Sequence, residues 1–205
     1  PNGALSLKQK YNDGKDDGPI ISYYADGSVG TTGAFKDGER DGEWISYFIN
    51  GIIDVKNNFS AGKKVGEEKS YYHSGIIYSE SSYNMEGELE GPYKYYTADG
   101  ILYLEEEYKD GIIVKVSSID KDGKYHSVTG NSRGTFNYET FDPDHKKINA
   151  GAFKSGKRNG VWTYYYKNGK ISQTYKYKNG DIIGELKSYH PNGALKSIYN
   201  YVDGV

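Results

Sequence analysis

The sequence predicts an all-β fold: an elongated sheet of tandem antiparallel β-hairpins, roughly 16 strands, with no substantial helix. Three observations carry that expectation. Landmark residues recur every 24 positions, most landmark glycines follow Asn or Asp, and the stretches between glycines alternate apolar and polar residues.

The repeat fixes the rest. With Gly169 as offset zero, Tyr177 lies at +8, Gly180 at +11, Gly184 at +15, Tyr189 at +20 and Gly193 at +24. Units opening at Gly3, Gly27 and Gly51 put Tyr11, Phe35 and Phe59 at +8, and Gly18, Gly42 and Gly66 at +15. His145 opens another unit, with Phe153, Gly156, Gly160 and Tyr165, and the unit from Gly75 to Gly100 is one residue longer. Pro1-Asn2-Gly3 reads as the close of one unit and Asp203-Gly204-Val205 as the middle of another, so a fragment or mature form of a longer chain is expected.

The turns come next. Asp26-Gly27, Asp37-Gly38, Asn50-Gly51, Asn168-Gly169, Asn179-Gly180 and Asn192-Gly193 supply the positive φ angles that tight hairpins need. Between turns, strand A runs over about +1 to +9, apolar at both ends on even offsets, as in Leu5 and Tyr11, Ile53 and Phe59, or Ile171 and Tyr177. Strand B runs over about +16 to +22. It carries Ile20, Trp44, Trp162 and Leu186 at +17 and an aromatic pair at +20 and +21. Neighbouring residues on a strand face opposite sides, so two aromatic ladders are expected, one on each face. At a strand spacing of ~4.8 Å the sheet would extend on the order of 75 Å. Regular repeats are expected over 1–111 and 145–205, with divergent repeats over 112–144, all in one continuous array. Ile112-Ile113-Val114-Lys115-Val116 marks the divergent part as strand, not linker.

Composition excludes several function classes. A net charge of -2 offers no global field for nucleic acid or an anionic membrane. The chain has no Cys, which removes disulfides, thiolate zinc sites and thiol catalysis. No apolar stretch reaches the ~20 residues of a helical membrane span. The 23 Tyr supply the apolar area that the scarce aliphatics do not. The compartment, cytoplasmic or exported, stays open.

The pattern Tyr-Lys-Asn-Gly followed by recurrent Gly, Tyr and Asn-Gly, running from Tyr177 to Gly193, resembles the MORN-repeat variant. Phe153-Lys154-Ser155-Gly156 through Tyr164-Tyr165-Tyr166-Lys167-Asn168-Gly169 is similar to it throughout, and the likeness lapses mainly over 112–144. The resemblance implies elongated β-hairpin sheets and a scaffolding role, with membrane contact less secure. Bacterial proteins of this kind are often labelled YwqK-like antitoxins, which would imply neutralisation of a toxin.

No group of residues suggests catalysis, and no cofactor or metal is expected. His73, His126, His145 and His190 lack metal-like spacing and read as surface residues. Asp120-Lys121-Asp122-Gly123 lacks the distal Glu of a calcium loop, and Asp142-Pro143-Asp144 reads as a turn. Glu105-Glu106-Glu107 reads as a solvated face or a site for a basic partner, with Glu105 and Glu107 on one side. Loops are expected at residues 38–42, 62–66 and 156–160, where Lys63, Lys64, Lys157 and Arg158 offer a weak case for anionic lipid. The candidate binding residues are the +20 tyrosines Tyr23, Tyr47, Tyr71, Tyr165 and Tyr189. They either cement the sheet through cross-strand pairs or form an exposed contact surface. The expected partner is a protein, possessing an antitoxin- or immunity-type relation to the chain. The alternative is a carbohydrate or cell-envelope ligand, and nucleic acid and membrane surfaces are disfavoured.

Overall fold

The computed structural model describes residues 6–201, apart from the side chains of residues 126 and 127. The expectations at Pro1-Asn2-Gly3, Leu5 and Asp203-Gly204-Val205 lie outside the described residues. Within them there is no helix, and 20 strands pair antiparallel as successive hairpins. The chain divides into two compact units, one ending at Gly100 and one beginning at Ile101.

The first unit contains β1 (Leu7–Asn12), β2 (Lys15–Tyr23), β3 (Val29–Lys36), β4 (Glu39–Arg40), β5 (Gly42–Tyr47), β6 (Ile53–Ser60), β7 (Lys63–Lys64), β8 (Gly66–Tyr71), β9 (Ile77–Tyr83) and β10 (Gly91–Tyr96). The second contains β11 (Leu102–Lys109), β12 (Ile112–Ile119), β13 (Tyr125–Gly130), β14 (Phe136–Phe141), β15 (Lys147–Lys154), β16 (Lys157–Tyr165), β17 (Ile171–Lys178), β18 (Asp181–Ile182), β19 (Gly184–Tyr189) and β20 (Leu195–Tyr201). The two-residue strands β4, β7 and β18 are the front ends of β5, β8 and β19, which explains the excess over the expected number.

Two turn types alternate. At +10 and +11, Asp37 (φ 54°) and Gly38 (φ 90°) form a two-residue turn between the paired Lys36 and Glu39. Positive φ at both residues is the type I′ geometry that matches the twist of the strands. The turn at offset zero is longer. The Gly51 N–H donates to the Phe48 carbonyl and the Phe48 N–H to the Ile52 carbonyl, both at 2.8 Å, and Gly51 (φ 79°) supplies the positive φ. His145 (φ 63°) takes that place in the unit it opens.

The expected loops at 38–42, 62–66 and 156–160 are strand instead. Glu39 and Arg40 already pair with Lys36 and Phe35, and Lys157 opens the continuous β16. The ladder then slips: Phe35 pairs with Arg40 but Thr32 with Ile45. Gly42 (φ 75°) carries this bulge. A second slip falls at +3, where Ser46 pairs with Val55 but Tyr47 with Ile53. An extra residue reverses the alternation of faces, so Ile53 lies beside Tyr47 and not on the face of Phe59. The even offsets of strand A therefore do not share one face, contrary to the simple period-2 reading.

The core of each unit is a stripe of residues at +17 and +8. Trp44 (6 % exposed) contacts Phe35 and Phe59 edge-on, and Trp162 (0 % exposed) contacts Phe153 and Tyr177 the same way. Each indole N–H donates to a backbone carbonyl, Ala34 or Ala152, at 3.1 Å. Gly33 and Gly151 make room: a Cβ at either would lie 2.3 Å from the indole.

In the second unit β12 is the most enclosed strand. Val116, Ser117, Ser118 and Ile119 are all buried, so both faces of the strand are covered. β14 meets β11, β12 and β13 without pairing with any of them, and pairs with β15. The Phe141 N–H donates to Ser118 Oγ at 3.0 Å across that contact. Tyr138 pairs with Gly151 and packs on Trp162, filling the +17 core position of its strand.

Candidate binding face

The five +20 tyrosines each close a strand: Tyr23 on β2, Tyr47 on β5, Tyr71 on β8, Tyr165 on β16 and Tyr189 on β19. They belong to the face opposite Trp44 and Trp162, because odd and even positions of a strand point to opposite sides. All five are half-buried. Tyr23, Tyr47 and Tyr71 recur within the first unit, and Tyr165 and Tyr189 within the second. Tyr96 is the equivalent residue of the longer repeat. Its displacement by the extra residue hides it from the offset count.

Charge fills the space between these rings. The Lys56 amine lies between Tyr47 and Tyr71 and pairs with Glu43 at 2.6 Å. Lys69 bridges Glu80 at 3.2 Å and Glu67 at 3.8 Å, and Lys187 pairs with Glu185 at 2.7 Å. The hydrogen bond from Lys56 to Glu43 holds the amine above its usual pKa. The Tyr96 hydroxyl donates to Glu80 at 2.7 Å and holds that carboxyl below the usual range. Water screens such exposed pairs strongly, so an incoming partner exchanges them at little cost. In the second unit the same face has a shallow cleft of about 390 Å³ between Val161, Thr174, Lys176, Glu185 and Lys187.

The neighbouring +21 tyrosines have a structural task that the sequence does not announce. The hydroxyls of Tyr24, Tyr72 and Tyr166 donate to the carbonyls of Tyr47, Tyr96 and Tyr189 at 2.6, 2.8 and 2.6 Å. Each bond ties one repeat to the next. Phe48 has no hydroxyl and stacks on His73 at 3.7 Å instead.

Other residues singled out by the sequence are engaged locally. Asp120 Oδ1 accepts the N–H groups of Asp122 and Lys124 at 2.9 and 2.8 Å, and Asp142 Oδ1 accepts those of Asp144 and Lys146 at 3.0 and 2.9 Å. Both are caps of three-residue turns. His145 Nε2 lies 3.5 Å from Asp120 Oδ2, and His190 shapes a turn through its backbone. The side chain of His126 lies outside the described residues. Among the described residues, no group of three or more His, Asp and Glu is placed to hold a metal ion. The Glu105–Glu107 run is not a solvated patch: Glu106 is buried and accepts the hydroxyls of Tyr108 and Tyr138, both at 2.9 Å. Two of the cations weighed for lipid contact are turned onto rings. Lys64 pairs with Glu68 and lies 5.3 Å from the Tyr83 ring, and the Arg158 guanidinium lies 4.5 Å from the Trp162 ring.

The hairpins at residues 64–85, 89–110, 158–179 and 183–203 match the model of the MORN repeat variant. These four segments are similar to MORN-variant repeats. Each covers one strand of the B type, its three-residue turn and the strand of the A type that follows. Tyr71, Tyr165 and Tyr189 lie inside the matched segments, and Tyr23 and Tyr47 close strands of the same kind outside them. No match was found among curated proteins.

Proposed function

We propose that the chain is a non-catalytic, protein-binding repeat scaffold whose contact surface is the face bearing the +20 tyrosines. The observation that carries this reading is a half-exposed Tyr beside a Lys–Glu pair at three of the five positions: Lys56–Glu43 at Tyr47, Lys69–Glu80 at Tyr71 and Lys187–Glu185 at Tyr189. MORN repeats are generally binding modules, which agrees with it. Tyrosine brings contact area at low conformational cost, and its hydroxyl stays compatible with water when no partner is present. Alternating charge favours a partner with its own mixed surface over a uniformly charged one such as nucleic acid. A toxin-neutralising or immunity-type role is the narrower form of this reading. A photo-crosslinking amino acid placed at Tyr47 or Tyr71 tests it in extracts of the native host. A defined protein adduct is expected from these positions and not from the exposed turn residues Glu86 or Asp122. Equal adducts from both sets would remove the assignment of the face.

A second reading, carbohydrate binding, is favoured by one cleft on the indole-bearing face of the second unit. Tyr166, Gln173, Leu186, Ser188, Ser197 and Tyr199 line it, a mixture of ring and hydroxyl groups in about 480 Å³. Tyr199→Ala would then abolish retention on immobilised polysaccharide and leave the Tyr47 and Tyr71 adducts unchanged.

A further inference from the structure

Residues 33–44 and 151–162 are nearly the same sequence, Gly-Ala-Phe-Lys followed by Gly, Arg, Gly and Trp at identical spacing. They build the same stack. The Arg40 guanidinium lies 4.4 Å from the Trp44 ring and 5.2 Å from Phe59; that of Arg158 lies 4.5 Å from Trp162 and 5.5 Å from Tyr177. The difference is what meets the guanidinium edge. Arg158 Nη1 donates to the hydroxyls of Tyr164 and Tyr177 at 3.1 and 3.2 Å. The first stack has Ser46 and Phe59 at those two positions. Phe59 has no hydroxyl. The Ser46 hydroxyl accepts the Val55 N–H at 3.2 Å and faces Asp54 Oδ2 at 3.4 Å. Arg40 is exposed, and its side chain has no hydrogen bond or ion pair among the described residues.

A guanidinium held against rings has already lost part of the rotamer entropy that a free arginine carries, so its fork is oriented before anything arrives. The fork borders a cleft of about 190 Å³ lined by Thr31, Trp44, Ser46, Val55 and Asn57. That is less than the ~300–1,000 Å³ of ordinary small-molecule pockets and suits the tip of a side chain. Two acids bordering it are occupied: Glu68 takes Lys64, Asn57 and Tyr83, and Asp54 faces Ser46. A single negative charge is repelled less by Asp54 than a doubly charged phosphate would be. We propose that Arg40 is an open receptor for one carboxylate, the Asp or Glu side chain of a partner protein, while the duplicate at Arg158 is closed by its own tyrosines. This site is on the opposite face from the +20 tyrosines, so neither proposal depends on the other.

The chain has three arginines, Arg40, Arg133 and Arg158, which makes the test direct. The Nε–H resonances of the isotope-labelled full chain are followed while hexaglutamate, acetate or inorganic phosphate is added at constant ionic strength. Arg40 is expected to shift saturably with hexaglutamate, and at lower concentration than with acetate. Arg133, exposed and unstacked, serves as the non-specific control, and Arg158 is expected to stay still. Ser46→Tyr with Phe59→Tyr closes the site and should abolish the Arg40 response; Tyr164→Ser with Tyr177→Phe should confer it on Arg158. Arg40 moving no further than Arg133 would sink the proposal, and this wild-type result decides it even if a variant does not fold. Equal response to acetate and hexaglutamate would overturn the protein source, and preference for phosphate would overturn the carboxylate.

Discussion

Tyr138 shows how much one hydroxyl does in this fold. It is buried against Trp162 and Phe153, and its hydrogen bond satisfies a carboxyl oxygen of the equally buried Glu106. Tyr138→Phe removes this bond to a buried carboxyl. A loss of about 1.5–3 kcal/mol is expected from urea unfolding, the range for bonds to a charged group. The same residue sets a pH dependence. Burial, and then the nearby Glu106, push its pKa far above the usual value. In the unfolded chain a tyrosine ionises near pH ~10, so the stability tied to the shift is complete below that pH. It is lost as the pH climbs past the unfolded value toward the folded one. Between about pH 8 and about pH 11 the wild-type chain should therefore lose more stability than Tyr138→Phe does. Tyr72, Tyr83, Tyr164 and Tyr175 are also raised, mainly by burial, and add a slope common to both proteins. Equal alkaline losses in the two proteins would show that Tyr138 is not the residue responsible.

At the scale of the hairpin, Asn-Gly and Asp-Gly steps made the turns legible, but not their kind. The turn at +10 and +11 needs positive φ at two residues, and Asp13, Asp37, Asp110 and Asn179 suit it. Ala61 adopts φ 47° in the same place, where an L side chain without a local hydrogen-bonding group is strained. Ala61→Asn should stabilise the protein by up to about 1 kcal/mol, a fraction of the usual cost of that conformation. A higher melting temperature with an unchanged circular-dichroism spectrum is the expected readout, and a lower one would mean the turn is not type I′ in solution. The bulges were less legible than the turns. A pattern of alternation shows which residues share a strand, but one extra residue reverses the faces without leaving a distinct composition. Ile53 beside Tyr47 is a result of that reversal. The candidate face was legible through its tyrosines alone. Lys56, Glu43 and Glu80 became part of it only through cross-strand register, which links residues more than ten positions apart. Tyr96 was hidden by one inserted residue, and the burial of Glu106 by a contact from Tyr138 across 32 positions.

At the scale of the molecule, the described strands of the first unit pair only with their neighbours in the hairpin series, so its stability should be a sum of repeats and their junctions. Removing one whole period respects every junction. Deleting residues 52–75 would bring Ile77 to Tyr47 in place of Ile53, and Tyr83 to Gly42 in place of Phe59, which are the same pairs in a neighbouring copy. Both turn types and both bulges survive. Deleting only residues 63–74 takes out β7 and β8 and joins two strands of the A type. The +17 position disappears between two +8 positions, and the Tyr72 hydroxyl bond to the next repeat goes with it. The larger deletion is thus expected to keep a β-sheet spectrum and a cooperative melt, with a modest fall in melting temperature. The smaller one should lose the cooperative melt although it removes fewer residues. A chain held together by generic burial would instead tolerate the smaller loss better, and that outcome would contradict stabilisation by register between successive hairpins.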